Sequence, residues 1–238
     1  MKKPFLSIVI PLYNEEGRIK NLYKVYNHLK NLGLNYEILL VNDGSTDNTL
    51  KKINSLNKKI KFMLVSYNVN KGKGAAIKEG MLLAKGKYLL FTDIDLSTPI
   101  EQFNKFIPHL QNNDILIGSR RIRGSNIKKR QSLIRENLGR TFTILSQIFL
   151  KLKISDFTCG FKCFSKKAAQ EIFSRQKINR WGFDSEILFL AKKLRYKIKE
   201  VPVEWSNDPN SKILFPHDIF RSLFDLYKIR LNEFRKIY

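Results

Sequence analysis

Apolar runs alternate with helical periods along residues 5–118. Phe5–Ile10 is a short apolar run closed by Pro11. Ile19, Leu22, Tyr26 and Leu29 then recur at the spacing of one helix face. Tyr36–Val41 reads as a second strand, followed by a short helix that Thr46 or Asp47 caps and that carries Leu50 and Ile53. Lys61–Ser66 is a third strand, Ala75–Ala84 a helix with Gly86 as its C-terminal stop, and Lys87–Thr92 a fourth strand. Pro99 opens a helix to about Leu110, and Ile115–Gly118 is a fifth strand. This alternation predicts an α/β fold: a mainly parallel central sheet with helices on both faces.

The second half is less regular. Residues 119–130 form a basic loop, Ser-Arg-Arg-Ile-Arg-Gly-Ser-Asn-Ile-Lys-Lys-Arg. A helix is expected from about Gln131 to Leu150, with Leu133, Leu138, Phe142, Leu145 and Phe149 among its apolar positions. Phe161–Phe164 and Ile198–Val203 read as two further strands. From about His217 to Tyr238 a helical stripe of Phe220, Leu223, Tyr227, Leu231, Phe234 and Tyr238 excludes Arg221, Lys228, Arg235 and Lys236. The expected organisation is one domain over residues 1–215 and a C-terminal amphipathic helix over 216–238, possible either as a membrane-interface element or as packing against core or partner.

The polar punctuation of the strands carries the chemistry. Asp93 and Asp95 close the fourth apolar run, and side chains two apart in a strand point the same way. Two hard carboxylate ligands suit Mg²⁺ or Mn²⁺, ions that also hold substrate phosphates. Taken alone, Asp-x-Asp is also an ordinary strand-end turn. Asn14-Glu15 and Asn42-Asp43 follow strands in the same manner, however, and ligands of parallel α/β sheets bind at those carboxyl ends. The shared placement favours a site. Asn70-Lys71-Gly72-Lys73-Gly74 leads into a helix and offers backbone N–H groups and Lys73 to a phosphate, without the spacing of a P-loop or dinucleotide fingerprint.

Composition narrows the partners. The 238 residues include 44 Lys+Arg against 21 Asp+Glu, a formal charge of +23. Such an excess favours anionic partners: nucleic acid, lipid headgroups or phosphorylated substrates. No zinc-finger, helix-turn-helix or aromatic-basic RNA signature accompanies it, so no nucleic-acid partner is expected. The two cysteines, Cys159 and Cys163, are too few for a disulfide scaffold and read as reduced thiols of a cytosolic protein. The apolar stretch near the N-terminus lacks a cleavage site and reads as a strand, and no window reaches the ~18 apolar residues of a membrane span. The expectation is a cytoplasmic protein, soluble or peripheral on the cytosolic membrane face.

Three segments together, Ser7-Ile-Val-Ile-Pro-Leu-Tyr-Asn-Glu-Glu16, Glu37-Ile-Leu-Leu-Val-Asn-Asp-Gly-Ser-Thr-Asp47 and Asp93-x-Asp95, resemble a family 2 inverting glycosyltransferase of the nucleotide-sugar-binding GT-A fold. Gly118-Ser-Arg120, Asp156-Phe-Thr-Cys-Gly-Phe-Lys-Cys-Phe164, Arg180-Trp-Gly-Phe-Asp184, Glu200-Val-Pro-Val-Glu-Trp205 and Asn210-Ser-Lys212 resemble its dolichyl-phosphate glucose synthase branch. The resemblance runs to about residue 215. It implies that Pro11, Tyr13, Glu15 and Asp43 hold the nucleoside, that Lys212 contacts a donor phosphate as Lys73 of the glycine-rich loop could, and that Asp93 and Asp95 bind the metal. It further implies that Arg120, with Arg130 or Arg135, meets the acceptor phosphate. Asp156 and Asp184 are candidates to orient acceptor or sugar, or equally to stabilise the fold. Ile94 in the metal motif, Ser97 where mannosyl relatives often have glutamine, Asn210 before Ser-Lys and the lack of an N-terminal anchor depart from the pattern.

The implied reaction moves a hexose, first choice glucose from UDP-glucose, to a polyprenyl or dolichyl monophosphate at a membrane surface. GDP-mannose is the second choice of donor, and a non-lipid acceptor the alternative within the family. Oligomeric state is open. A processive synthase is disfavoured, because the gap between Gln176 and Arg180-Trp181 is one residue too long for its motif.

Overall fold

The computed structural model describes residues 3–56, 59–209 and 217–238, with backbone alone over 217–220. In the first half β1 (Leu6–Leu12), α1 (Leu22–Asn31), β2 (Tyr36–Asp43), α2 (Thr49–Leu56), β3 (Met63–Tyr67), α3 (Lys73–Leu83) and β4 (Tyr88–Phe91) alternate as expected. The second half adds β5 (Ile115–Ser119), β6 (Asn126–Lys129), α4 (Leu133–Leu150), β7 (Lys162–Ser165), α5 (Lys166–Arg175), α6 (Phe183–Lys193), β8 (Ile198–Pro202), β9 (Glu204–Ser206) and α7 (His217–Phe234).

Seven strands form one sheet in the order β3-β2-β1-β4-β7-β5-β8, and β6 pairs with β9 in a separate ribbon. Every pairing in the large sheet is parallel except those of β7, which runs antiparallel between β4 and β5. Alternate strand residues feed two cores. Val9, Leu39, Val41, Leu89 and Phe91 pack with the helical residues Ala76, Ile77, Phe173 and Phe183. Ile8, Ile10, Ile38, Leu40 and Leu90 pack on the other face with Leu22, Val25, Leu29 and Phe103. The central strands β1, β2, β4 and β5 are buried on both faces, which is why they read as continuous apolar runs.

Three sequence expectations are corrected. The stretch after Pro99 is not one α-helix but two 3₁₀ pieces, Ile100–Lys105 and Ile107–His109. Pro108 explains this: it has no N–H for an α-helical bond, and its ring restricts Ile107. Helices α5 and α6 were not read at all. The first carries a proper cap, Ser165 Oγ accepting from Ala168 N at 3.3 Å, but only ten residues of pattern. The second is buried from Phe183 through Ala191, so it shows no amphipathic period. The C-terminal helix exists, but its inward face is Asp225, Leu226, Ile229 and Asn232, while Tyr227 and Phe234 of the expected stripe point outward. Tyr238 anchors its end by donating to Glu186 at 2.6 Å. Among the described residues, no helix is long and apolar enough to cross a membrane.

Candidate functional site

The carboxyl ends of β1, β2 and β4 meet in one place. Asn14, with φ of 52°, turns the chain out of β1. Its Oδ1 accepts from Thr46 N at 2.7 Å, and Glu15 N donates to Thr49 Oγ1 at 2.7 Å, so the loops after β1 and β2 are tied together. Pro11 lies in β1, Tyr13 projects half-exposed beyond it, and the Glu15 carboxylate accepts from Arg18 at 2.8 Å. Arg18 also reaches Asp208 at 2.9 Å.

Asp43 is buried at the end of β2. Its carboxylate accepts from Asn70 Nδ2 at 2.9 Å and from the N–H groups of Lys71 and Gly72, each at 2.8 Å. The structure therefore places Asp43 as the clasp of the glycine-rich loop. Gly72 has φ of +108°, and a Cβ there would lie 2.4 Å from Asn179 O, so this turn needs glycine. The clasped loop delivers Lys73 as the first residue of α3.

Lys73 Nζ lies 2.7 Å from Asp93 Oδ1 and 2.8 Å from Oδ2. Burial would lower the Lys73 pKa, but Asp93, Asp184 and Asp95 together raise it. Asp95 accepts from Ser97 N at 2.9 Å. Its pKa is raised, by burial first and by neighbouring Asp93 second, against the pull of the Ser97 N–H and Lys73. The antiparallel β7 brings a further strand end here, with Phe91 opposite Lys162. Gly160 just before it faces Asp93 so closely that a Cβ would sit 2.2 Å from Oδ2. Lys162 is wholly buried; it pairs with Asp184, donates to Cys159 O at 2.7 Å, and lies 5.4 Å from the Phe91 ring centroid. Burial raises the Asp184 pKa in spite of Lys162 and Lys73.

The cluster thus sets the carboxylates of Asp93, Asp95 and Asp184 against the ammonium groups of Lys73 and Lys162. One negative charge is in excess, and it falls at the Asp93/Asp95 mouth. This donor set fits a hard divalent cation. No group of three or more His, Cys, Asp or Glu that could hold a metal occurs among the described residues. Two carboxylates are nevertheless the usual protein share for an ion that takes its other ligands from water and substrate phosphates.

Arg120 and Asp156 lie at the end of β5 as a bidentate pair. Arg120 Nε donates to Asp156 Oδ2 and Nη2 to Oδ1, each at 2.7 Å, and the Arg120 N–H adds a third bond at 3.0 Å. Burial would raise the Asp156 carboxyl, but the Arg120 charge and hydrogen bonds overcome it and hold the pKa at about 2. The guanidinium sits 5.2 Å over the Trp205 ring and donates to Thr158 Oγ1 at 2.9 Å. Arg130 lies exposed 3.7 Å from Glu136, and Arg135 stands in the first turn of α4. Neither touches Arg120 or the Asp93 cluster among the described residues. Lys212 lies outside the described residues.

The structure brings Lys73, Asp93, Asp95 and Asp184 together and pairs Arg120, just after β5, with Asp156, 36 residues later, within reach of the Asp184 charge. Sequence reasoning quoted Lys162, Gly160 and Trp181 within motifs but gave none of them a place in the site; Lys73 Nζ lies 5.4 Å from the Trp181 ring centroid. A lysine inside an apolar strand was the available signal for the first, since buried lysines are almost always paired.

The profile described as "Glycosyl transferase family 2" matches residues 7–173. A dolichyl-phosphate beta-glucosyltransferase of Dictyostelium discoideum is 37% identical over an alignment of 252 residues, spanning 95% of this chain and 77% of that protein. The enzyme of that name from Saccharomyces cerevisiae is 35% identical over 255 residues, with 98% and 76% covered. Among solved structures, glucosyl-3-phosphoglycerate synthase from Mycobacterium tuberculosis, in complex with Mn²⁺, UDP and glucosyl-3-phosphoglycerate, superposes with a TM-score of 0.69 at 16% identity. It covers 96% of this chain and 79% of that one. That likeness is one of fold.

Proposed function

The chain belongs to glycosyl transferase family 2, and from that premise we propose that it transfers glucose from UDP-glucose to a dolichyl or polyprenyl monophosphate. The observation that carries the reading is the Asp93/Asp95 pair with its uncompensated negative charge, in a chain more than a third identical to dolichyl-phosphate beta-glucosyltransferases. Asp93 and Asp95 would hold Mg²⁺ or Mn²⁺, and the ion would supply positive charge against the diphosphate. Lys73, already centred among the carboxylates, adds a second positive charge there, and Lys212 a third.

Pro11, Tyr13 and Glu15 border the nucleoside. Asp43 serves that pocket through the loop it clasps. A lipid monophosphate is mostly dianionic at neutral pH, since its second pKa is near 6, so its oxygen needs no strong general base. The enzyme must instead bring two anions together, and Arg120 with Arg130 or Arg135 does this by charge. Attack of the acceptor oxygen on the anomeric carbon forms one C–O bond as the bond to the diphosphate breaks. The in-line path inverts the centre to a β-linked product. Asp156 fixes Arg120, and Asp184 fixes Lys73 through their charges. The basic 119–130 loop and α7, with Phe224, Tyr227 and Phe234 outward, meet the cytosolic membrane surface where the acceptor resides.

Thermal unfolding with UDP-glucose or GDP-mannose, each with and without Mg²⁺ or Mn²⁺, tests the donor. Ligand at a hundred times its Kd adds about 2.7 kcal/mol, or roughly 5–10 °C for a chain of this size. UDP-glucose with the ion is expected to give that shift, and Asp95→Ala to remove its metal-dependent part. Labelled transfer to dolichyl phosphate in detergent completes the test. A protein that no sugar nucleotide stabilises would end this reading.

A further inference from the structure

The turn that carries Asp93 and Asp95 is strained. Leu96 takes φ of 52°, a left-handed conformation that a leucine side chain disfavours, and its N–H donates to Asp93 O at 3.2 Å. Such a residue persists where its surroundings hold it. Here the holding contacts form a closed circuit around Asp95. The Asp95 carboxylate accepts from Ser97 N at 2.9 Å. Ser97 O accepts from Ser206 N at 2.8 Å, which ties the turn to the end of β9. Two residues on, Asp208 accepts from Arg18 Nε at 2.9 Å. From Arg18 the chain enters the 3₁₀ turn Ile19–Asn21, where Asn21 N donates to Arg18 O at 2.8 Å. Asn21 Nδ2 then donates at 2.9 Å to the carbonyl of Ile94, the residue between the two aspartates.

Within this circuit, Arg18–Asp208 is the link made by two side chains, and it joins segments 190 positions apart. The two side chains are 17% and 23% exposed, so the pair is better shielded than an ordinary surface bridge. Arg18 Nη1 also donates to Glu15 Oε2 at 2.8 Å. One guanidinium therefore pins the loop after β1 to the segment after β9. Its charge reaches the turn as well: burial and Asp93 raise the Asp95 pKa, while the Ser97 N–H, Lys73 and Arg18 oppose them. The same β9 segment places Trp205 under Arg120, 5.2 Å from ring centroid to guanidinium, so it borders both halves of the site.

We infer that Arg18 and Asp208 are positioning residues whose ion pair closes the circuit and so holds the Asp93–Ser97 turn, with both carboxylates, in its strained shape. The inference rests on the proposed metal site for its use, and on the circuit itself for its physics. Neither residue needs to touch the ion or the donor for this role.

Hydrogen exchange of the full chain without metal tests it, because local opening is read amide by amide. In Arg18→Met, and equally in Asp208→Asn, the N–H groups of Ser97 and Ser206 are expected to exchange about tenfold faster, the low end of what a charge-assisted hydrogen bond holds. The Leu39 N–H in β2 should exchange as in wild type. The exchanged pair, Arg18→Asp with Asp208→Arg, should restore slow exchange at Ser97 and Ser206, and Arg18→Lys should restore part of it. Unchanged exchange at those two amides overturns the inference. So does acceleration at Leu39 to the same extent, which marks a loss of overall stability with no special hold on the turn. Binding of Mn²⁺ in the presence of UDP, followed by electron paramagnetic resonance, is the second readout. Its half-saturation concentration should rise about tenfold in both single variants and return in the exchanged pair. A shift in Arg18→Met but not in Asp208→Asn would mean that Arg18 meets the ligand directly, and that result also overturns the positioning role. A wild type that binds no Mn²⁺ with UDP counts against the proposed reaction and leaves the exchange rates to decide the circuit.

Discussion

Removing Asp156 isolates one buried charge. In the folded chain Arg120 is enclosed by Asp156, Thr158 and Trp205, and Asp156 itself is wholly buried. Asp156→Ala leaves the guanidinium with a hydroxyl and an indole face where a carboxylate had been. Breaking such a pair from one side costs about 3–5 kcal/mol. The depressed pKa gives an independent figure: a fall from 3.8 to about 2 corresponds to roughly 2 kcal/mol of net stabilisation of the ionised carboxylate, with its burial cost already offset. The larger value includes desolvation of the orphaned arginine. For a chain of this length it lowers Tm by about 6–20 °C. The assay is thermal and urea unfolding of wild type, Asp156→Ala, and the double variant Arg120→Met with Asp156→Leu. The double variant should recover most of the loss, because no charge is left behind. The sign of the pH effect follows from the depressed folded pKa. The contribution is fully present above about pH 4 and fades as pH falls towards 2, so wild type and double variant should converge in that window. If Asp156→Ala melts with wild type yet abolishes transfer, the carboxylate acts on substrate and the reasoning about Arg120 is refuted.

Two further predictions follow from close packing around Asp93. Gly160→Ala places a methyl 2.2 Å from Asp93 Oδ2, so the carboxylate must turn; calorimetric titration should show metal-dependent binding of UDP-glucose weakened at least tenfold, and an unchanged titration would mean Asp93 is not a ligand. Lys162→Met strands Asp184 in the core and should cost about 3–5 kcal/mol in urea unfolding, with Asp184→Leu added to it restoring most of the loss. Equal destabilisation of single and double variants would show that packing, not charge, dominates there.

β1, β2 and β4 and the helices between them were legible because burial on both sheet faces leaves an unbroken apolar run, and one-sided helices leave a period; the edge strand β3 showed through its β-branched and aromatic residues instead. Asp93 and Asp95 were legible for the same reason: they interrupt such a run at its end. What was hidden depends on pairing between distant segments. Phe161–Phe164 reads as a strand, but nothing local marks β7 as antiparallel or as inserted between β4 and β5. Without that pairing, Gly160 and Lys162 have no visible relation to Asp93. Asp43 shows a subtler limit. Its place after β2 marked it for a ligand, but its oxygens accept from the 70–72 loop. The position was readable; the partner was not. In α4 the expected apolar positions mixed inward Phe142 and Leu145 with outward Leu133 and Phe149, since a helix with large apolar side chains on both faces offers no single stripe to read.

Because β7 threads back between β4 and β5, the floor beneath Asp93 is supplied by residues about 70 positions later in the chain. During synthesis the ribosome delivers β1 to β5 first, and a nascent chain at that stage has both carboxylates but neither Gly160 beside them nor Lys162 below. Strand insertion between two existing neighbours is a long-range event, slow relative to local helix formation. The proposed centre therefore matures late, and premature termination before β7 yields a polypeptide with both proposed metal-binding carboxylates and none of the later residues that pack around them.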